Sequence, residues 1–495
     1  MKGSWATAIG TGFLAVMVSI GAGPPAWAEE PAAAEPSVTP VAGPSSAPGG
    51  TIRQGEQSVE SASLEELLLE KGVISMDDWI RLKAEEERRA AEGAVMAEFT
   101  ASPKWYERLR MYGYGMMRYN QLGNPNGKLR TYHDASVGAA SAGAQPGFFF
   151  RRIRWVVTGQ VSDRVGVFFQ PDLASNISSN THAVSMRDAW GEYYFDKNKE
   201  YRFRVGLQRV PVSWDNWQAS RQRMAIDRAD PTNSGAPSER DVGISFQWTP
   251  KHAQHRWKHM IDYMYGAGDW GAVNVTVDNG QGLNVAESNS DKRVGVRLAY
   301  PFELPGGRLF EMGMNAYRQQ FRVNPGTCAT APGSTTLCSL VDSGHASRNY
   351  LDERLNFFVH YPPQPWGFVA EYVTGRGPRR ESDGIIRSSH LYGGYVQGHY
   401  QWKYSDLGLA NFYARYQEYH GGIKFQTGAP DGRMNELEVG VAWMPDPEWE
   451  ITTAYTFTER LNLNNTTPAA SATSPGQQLN HYGNLIRLQI VWFWN

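Results

Sequence analysis

The chain has 495 residues, and its 48 lysines and arginines against 50 aspartates and glutamates give a formal net charge of −2. This balance argues against a nucleic-acid-binding protein, which usually carries a basic excess. Glycine (51), tyrosine (24) and tryptophan (17) are abundant although the mean hydropathy is only −0.49. Such a composition favours many short strands joined by turns over a helical enzyme.

The first residues are typical of a secretory signal. Lys2 precedes an apolar run at residues 9–23, and the small-x-small sequence at 26–28 is a cleavage pattern. We therefore expect residues 1–28 to be a signal peptide that is removed on export. The run is short for a spanning helix, and no later stretch approaches about 18 apolar residues, so no transmembrane helix is predicted.

Two segments separate the signal from the strand-rich part of the chain. Residues 29–60 are rich in Pro, Ala, Ser and Gly, which predicts a flexible linker. Residues 61–100 are predicted to be helical, with Gly72 ending one short piece and Ser75 with Asp78 starting the next. The narrow apolar stripes of this segment fit either an amphipathic hairpin or a small coiled coil.

From residue 101 to 495 the hydrophobic pattern has period two. Phe203, Val205 and Leu207, for example, alternate with Arg202 and Arg204. One face of each such segment is aliphatic or aromatic, and the other carries Arg, Gln, Gly or Glu. This alternation predicts strands with one apolar and one hydrated surface.

Sixteen such strands are predicted, and the connections between them alternate between short and long. The short ones include residues 162–164 and 251–256. Alternation of this kind is typical of an up-and-down barrel with one short-turned rim. The predicted strands are 105–121, 148–160, 164–172, 185–195, 200–212, 241–249, 257–267, 290–301, 308–321, 349–361, 366–376, 390–403, 408–418, 433–444, 448–459 and 481–494.

Contact with lipid explains why every strand has an uncovered apolar face. A closed sheet satisfies all backbone N–H and C=O groups, so a barrel can span a membrane. Aromatic residues near strand ends are expected to form interfacial girdles: Trp155, Tyr300, Trp402, Trp443 and Trp492. The sequence thus predicts an all-β fold, a transmembrane antiparallel up-and-down barrel of about 16 strands in the outer membrane of a Gram-negative cell, preceded by a short helical segment.

Several segments resemble, in order, those of the phosphate-selective porin O and P family. Residues 64–79 (LEELLLEKGVISMDDW), 150–173 (FRRIRWVVTGQVSDRVGVFFQPDL), 201–215 (YRFRVGLQRVPVSWD) and 435–457 (NELEVGVAWMPDPEWEITTAYTF) carry the resemblance. It implies a sixteen-stranded barrel, usually a homotrimer, with the third loop folded into the pore. Outer-membrane lipid and lipopolysaccharide are then the expected surroundings.

Arginines on the inward faces are the candidate functional residues. Rings of Arg in a pore favour anions, and the guanidinium fork matches phosphate and carboxylate. We expect a constriction near residues 213–240, with arginines that either attract anions or only pair with inward carboxylates and hold the loop. The expected pore-lining, anion-binding residues are Arg152, Arg154, Arg202, Arg204, Arg221, Arg223, Arg228, Arg293 and Arg297.

The expected function is passive diffusion of small, phosphate-like anionic solutes. An unselective diffusion porin and a structural envelope barrel are the alternatives. An enzyme is not expected, because the histidines are scattered singly and no GxSxG, HExxH or CxxC spacing occurs; no metal or other cofactor is expected either. Cys328 and Cys338 lie close together in a Gly/Thr/Ser-rich segment, which favours a local disulfide in an exported protein.

Overall fold

The structure is a computed structural model of the full chain. It describes residues 68–69, 71–100, 104–122, 147–174, 183–235, 240–263, 265–324, 340–341, 348–381, 385–404, 407–426, 428–463 and 479–494. The expected signal peptide (1–28), the expected linker (29–60) and both cysteines lie outside these residues.

The N-terminal segment contains one long helix, α1 (Met76–Thr100). It begins with the predicted capping box: the Asp78 N–H donates to Ser75 Oγ at 3.2 Å, and the Ser75 N–H donates to Asp78 Oδ2 at 3.3 Å. These hydrogen bonds lower the pKa of Asp78. Gly72, just before the helix, has a φ of 60°, as expected for a residue that ends a helical turn. No helix in the described residues is long and apolar enough to cross a membrane.

Sixteen antiparallel strands in the described residues form a closed barrel, because the first strand pairs with both the second and the last. A further strand of two residues, Leu340–Val341, pairs in parallel with Ile385–Ile386. The barrel strands are β1 (Leu109–Leu122), β2 (Gly147–Ser162), β3 (Val165–Asp172), β4 (Ser185–Tyr194), β5 (Tyr201–Arg209), β6 (Arg240–Trp248), β7 (Val273–Asp278), β8 (Arg293–Leu304), β9 (Arg308–Arg322), β10 (Asn349–Tyr361), β11 (Trp366–Arg380), β12 (Ile385–Tyr404), β13 (Gly408–Gly422), β14 (Asp431–Asp446), β15 (Trp449–Leu463) and β16 (Leu479–Trp494).

Side chains alternate between the lumen and the outer surface as the period of two predicts. On β8, Arg293 and Arg297 are buried, whereas Val294 and Leu298 are 49% and 42% exposed. The exposed face is apolar, so it suits lipid. Three predicted girdle residues, Trp155, Trp402 and Trp443, lie on this outer surface and are 50%, 43% and 39% exposed.

One rim of the barrel has short connections and the other has long ones, with one exception on each rim. The long connections mark the extracellular rim in outer-membrane barrels and the short turns mark the periplasmic rim. Residues 249–272 form a long connection on the periplasmic rim, although a short turn was predicted at 251–256.

This connection contains a helix, and the strand predicted at 257–267 is therefore wrong. Helix α2 occupies Lys251–Tyr263, and the missing seventh strand is supplied by Val273–Asp278. Ala253, Trp257 and Met260 are fully buried along one side of the helix. Their spacing of four and three residues is helical, and burial of that face decides the outcome.

Candidate lumen site

The connection between β5 and β6 fills part of the lumen. Its described residues, 210–235, are buried or half-buried throughout. They contain two single-turn helices, Trp214–Trp217 and Asp230–Asn233. Ser213 caps the first by accepting a hydrogen bond from the Asn216 N–H at 3.0 Å. We call residues 210–235 the lumen loop; it corresponds to the loop expected near 213–240.

Acidic residues fasten one side of the lumen loop to the barrel wall. Asp227 makes ion pairs with Arg118 of β1 at 2.8 Å and with Arg487 of β16 at 2.5 Å. Asp230 pairs with Arg460 of β15. All these side chains are at least nine-tenths buried. Separating one partner from a buried ion pair is strongly destabilising, because the other charge is left buried and uncompensated. These pairs therefore hold the loop in place.

The other side of the lumen loop contacts strands β9, β10 and β11. Trp214 Nε1 donates to Glu311 Oε2 at 2.9 Å, and the Trp214 N–H donates to Glu371 Oε1 at 2.6 Å. Arg354 Nη1 donates to Ser234 Oγ at 2.7 Å. The loop therefore reaches from the wall formed by β15, β16 and β1 to the wall formed by β9–β11, and crosses the lumen.

Helix α2 adds a second inserted element from the periplasmic side. Trp257 packs in one buried cluster with Trp214 and Trp217 of the lumen loop. Gln222 Nε2 donates to the Ile261 carbonyl at 2.8 Å, and Gln218 Nε2 donates to the Tyr265 carbonyl at 2.6 Å. The two insertions thus support each other within the barrel.

One narrow space between the lumen loop and the wall lies beside Trp214. A cavity of about 20 Å³ lies against the loop, which is room for about one water molecule. Its lining combines aromatic, histidine and arginine side chains: Trp214, Tyr265, Tyr395, His360, His399, Arg223 and Arg415 are among them.

Most of the predicted arginines have an acidic partner. Five of them lie on the inner wall, are at most 9% exposed, and make ion pairs at 2.6–2.9 Å. These pairs are Arg154–Asp172, Arg202–Asp269, Arg204–Glu192, Arg293–Asp278 and Arg297–Glu311. Each pair is close to electrically neutral when seen from a passing ion.

The three predicted arginines of the lumen loop differ from one another. Arg228 Nε and Nη2 donate to the carbonyls of Asp215 and Gln218, so this side chain braces the loop itself. Arg221 lies over the Tyr112 ring at 5.3 Å. Arg223 is 4% exposed and lines the small cavity.

Arg152 stands apart from the paired wall arginines. It is 3% exposed, yet its one hydrogen bond in the described structure runs from Nη1 to Met116 Sδ at 3.3 Å, and its Nε has no acceptor. The charges of Arg154 and Arg223 act on it. A buried guanidinium among other cations, with no carboxylate on it, has unused capacity for an anion.

Several inward cations were not among the predicted site residues, and Arg354, Arg460 and Lys424 are three of them. Arg354 and Arg460 lie on the inward faces of β10 and β15, so strand parity could have identified them. Lys424 lies in the β13–β14 connection, where no periodicity applies. Its Nζ contacts Asp352 and lies 4.7 Å from the Phe321 ring centroid.

Comparison with known proteins gives the family. A model described as "Phosphate-selective porin O and P" matches residues 131–475. A search of curated proteins found no match.

Similar solved structures are outer-membrane proteins. One is OmpT of Vibrio cholerae in trimer form, with 10% identity, a TM-score of 0.48, and 78% of this chain and 99% of that chain covered. The outer membrane channel DcaP of Acinetobacter baumannii has 12% identity, a TM-score of 0.46, and coverage of 78% and 97%. An anion-selective porin from Comamonas acidovorans has 10% identity, a TM-score of 0.42, and coverage of 78% and 99%.

The family match covers more than half of the chain, and it includes strands β2–β15 of the closed barrel of sixteen antiparallel strands. This architecture and this family both belong to the outer membrane of Gram-negative cells. The chain is therefore a Gram-negative outer-membrane β-barrel and belongs to the phosphate-selective porin O and P family.

Proposed function

We propose that this porin gives passive diffusion to small, phosphate-like anions, which pass the lumen loop beside Arg152. The observation that carries the proposal is the environment of Arg152, a buried guanidinium with a sulfur contact and no carboxylate. An anion that replaces its hydration shell with guanidinium N–H groups would be favoured there over a cation.

The neighbouring arginines support an anion path of this kind. Arg154 and Arg223 lie within electrostatic range of Arg152. Arg154 pairs with Asp172 at 2.8 Å, whereas in the described residues the Arg152 guanidinium has a sulfur contact and no hydrogen bond to a carboxylate. Arg202, Arg204, Arg293 and Arg297 then act mainly as partners of their carboxylates, and Arg228 acts as a brace of the loop.

The ion selectivity of single variants tests the proposal. The protein is reconstituted in a planar bilayer under a KCl gradient, and its reversal potential is measured. Anion preference is expected in the wild type, with a large reduction in Arg152→Gln and little change in Arg152→Lys. A matched control removes a neutral pair, Arg204→Gln with Glu192→Gln, and should leave the potential unchanged.

Two results would contradict the proposal: cation preference of the wild type, or an unchanged reversal potential in Arg152→Gln. Titration with phosphate then decides between solutes. Block of the chloride current by added phosphate supports phosphate-like substrates, whereas anion preference without block leaves a general anion porin.

An unselective diffusion porin is the second candidate function. The observation that favours it is the pairing of five wall arginines with carboxylates, which leaves little net charge on the inner surface. A reversal potential near zero would support it. Negligible conductance would instead favour the structural barrel, for which the supporting observation is the attachment of the lumen loop to both sides of the barrel wall.

We also infer the assembly and processing of the protein. A homotrimer is proposed from the family, and mass determination in detergent tests it. Removal of residues 1–28 is proposed from the cleavage pattern, and N-terminal sequencing of the exported protein tests it. The proposed bond between Cys328 and Cys338 is tested by the mass change on reduction.

A further inference from the structure

In the described strands, charged residues and histidines interrupt the apolar outer surface on one side of the barrel. On three neighbouring strand pairs they lie directly opposite each other: Arg318 faces Glu353, Glu353 faces Arg376, and Arg376 faces His390. The outward residues near the same rim on β6, β7 and β8 are Val242, Val277 and Val294. The charged residues therefore lie on one arc of the outer surface.

The arc continues on the next two strands. Tyr392 of β12 faces His420 of β13, and His420 faces Arg433 of β14. The rings of Tyr392 and His420 are stacked at 4.8 Å with an interplanar angle of 11°. We call Arg318, Glu353, Arg376, His390, His420 and Arg433 the outer charged row.

The position of the row along the strands places it at the extracellular interface. Arg376 follows Trp366 on β11 by 10 residues, and Arg433 precedes Trp443 on β14 by the same number. A strand rises about 3.4 Å per residue and is tilted by roughly 40°, so these pairs span about 25 Å along the membrane normal. That is the height of the apolar band, with the aromatic residues at its periplasmic edge.

The free-energy cost of placing a charged side chain in lipid is consistent with a position at the interface. An arginine on the lipid face costs about 2–4 kcal/mol at the midplane and about 0–1 kcal/mol at the interface. The arginines of the row are accessible: the Arg318 side chain is 74% exposed, and its nearest carboxylate, on Glu353, is 3.9 Å away. In the described residues the Arg376 side chain has neither a hydrogen bond nor an ion pair. Exposed pairs at such distances contribute little, so the guanidiniums of Arg318 and Arg376 remain available for a ligand.

We propose that the outer charged row binds the phosphate groups of the glycolipid of the outer leaflet, lipopolysaccharide. Guanidinium groups bind phosphate through two parallel hydrogen bonds, and the row presents Arg318, Arg376 and Arg433 at headgroup level. The carboxylates of this arc, on Glu353, Glu418 and Glu459, suit the divalent cations that accompany such phosphates, since hard cations take oxygen ligands. The row is thus a lipid site on one arc of the barrel.

Binding of purified lipid A to the detergent-solubilised full-length porin tests the proposal. The test variant combines Arg318→Gln, Arg376→Gln and Arg433→Gln. The control is Arg308→Gln, which removes an exposed outward arginine at the periplasmic end of the same strand as Arg318. The row variant is expected to lose about tenfold or more in affinity for lipid A, whereas the control keeps it. Heat-resistance of the barrel on gels checks folding.

Binding of another ligand, or a contact between copies of the chain, would give different experimental results. Dephosphorylated lipid A should bind the wild type as weakly as lipid A binds the row variant. Unchanged lipid A affinity in the row variant, or an equal loss in Arg308→Gln, overturns the proposal. So does a row variant that keeps its lipid affinity but changes its oligomeric mass, because the arc would then be an interface between copies. Inorganic phosphate that binds as tightly as lipid A would assign the row to a free ion and also overturn it.

Discussion

Asp227 of the lumen loop and Arg487 of the last strand form a buried ion pair at 2.5 Å. Arg118 of the first strand approaches the same carboxylate at 2.8 Å. Because β1 and β16 are neighbours in the closed barrel, Asp227 is held across the seam where the two ends of the sheet meet. One side chain of the loop therefore contacts both strands that close the barrel.

Replacement of Asp227 by Asn should release the lumen loop and increase anion preference. The change removes one buried negative charge and leaves two guanidiniums with less compensation, which costs about 3–5 kcal/mol for a broken buried pair. We expect larger and noisier single-channel currents and a reversal potential shifted towards chloride. Asp163→Asn is the control, because its pair with Arg108 is exposed and should matter little. Unchanged currents in Asp227→Asn would show that the ion pair does not position the loop.

Truncation of Trp257 should open the periplasmic side of the lumen. This side chain is fully buried and packs with Trp214 and Trp217 of the loop. Its loss should destabilise the barrel by about 3–5 kcal/mol and raise the conductance in planar bilayers. His255→Ala on the exposed side of α2 should alter neither quantity. A Trp257→Ala protein with wild-type conductance would mean that α2 does not obstruct the path.

The barrel strands could be predicted because the hydrophobic alternation that identifies a strand lies within the strand itself. Alternation on β8 or β14 is complete within one segment and needs no distant residue. Strand β7 was missed because it has only six residues. The strand predicted at 257–267 is wrong because Ala253, Trp257 and Met260 have helical spacing, and burial of their common face stabilises a helix.

The lumen site could be predicted only in part, because ion pairing depends on register and on the path of the loop. Arg204 was correctly expected on the inner face, but its neutralisation follows from lying opposite Glu192 in the β4–β5 register. Arg152 lies opposite Met116 instead. Both arginines lie on the inward faces of their strands. The alternation in the sequence alone therefore cannot show which of them lies opposite a carboxylate. The attachment of Asp227 requires the three-dimensional course of the loop.

Docking of the β13–β14 connection should depend on pH through Lys424. Burial lowers the pKa of Lys424 to about 7, below its ordinary value near 10.4 when exposed. Between these values the undocked connection binds more protons than the docked one, so docking strengthens as the pH rises. Below about pH 7 both states are protonated and the dependence ends.

Hydrogen exchange of residues 423–430, corrected for the intrinsic effect of pH, measures this docking. Protection should increase from pH 7 to 9 in the wild type. The amide of Gly428, which donates to the Asn324 carbonyl at 2.8 Å, is a suitable reporter. Lys424→Met should remove the pH dependence. The same dependence in that variant would assign the titration to another group.

Gly295 is a wall position at which a side chain should meet the start of the lumen loop. A Cβ built there would lie 2.7 Å from Pro211 Cγ and 2.9 Å from Thr276 Oγ1, so a valine has no room unless the loop or the strand shifts. Overpacking of this kind costs about 1–3 kcal/mol. Gly295→Val should therefore lower the unfolding temperature and change the conductance.

Gly191→Val is the matched control, because a Cβ at Gly191 meets no atom within 4 Å. Both variants add the same side chain to a barrel strand, Gly295→Val on the inward face and Gly191→Val on the outward face, so the comparison separates contact with the loop from a general effect of valine in a strand. If Gly191→Val lowers the unfolding temperature as much as Gly295→Val does, strand propensity explains the loss. If only Gly295→Val is destabilised and its conductance also changes, contact with the inner surface of β8 determines the position of the first residues of the lumen loop.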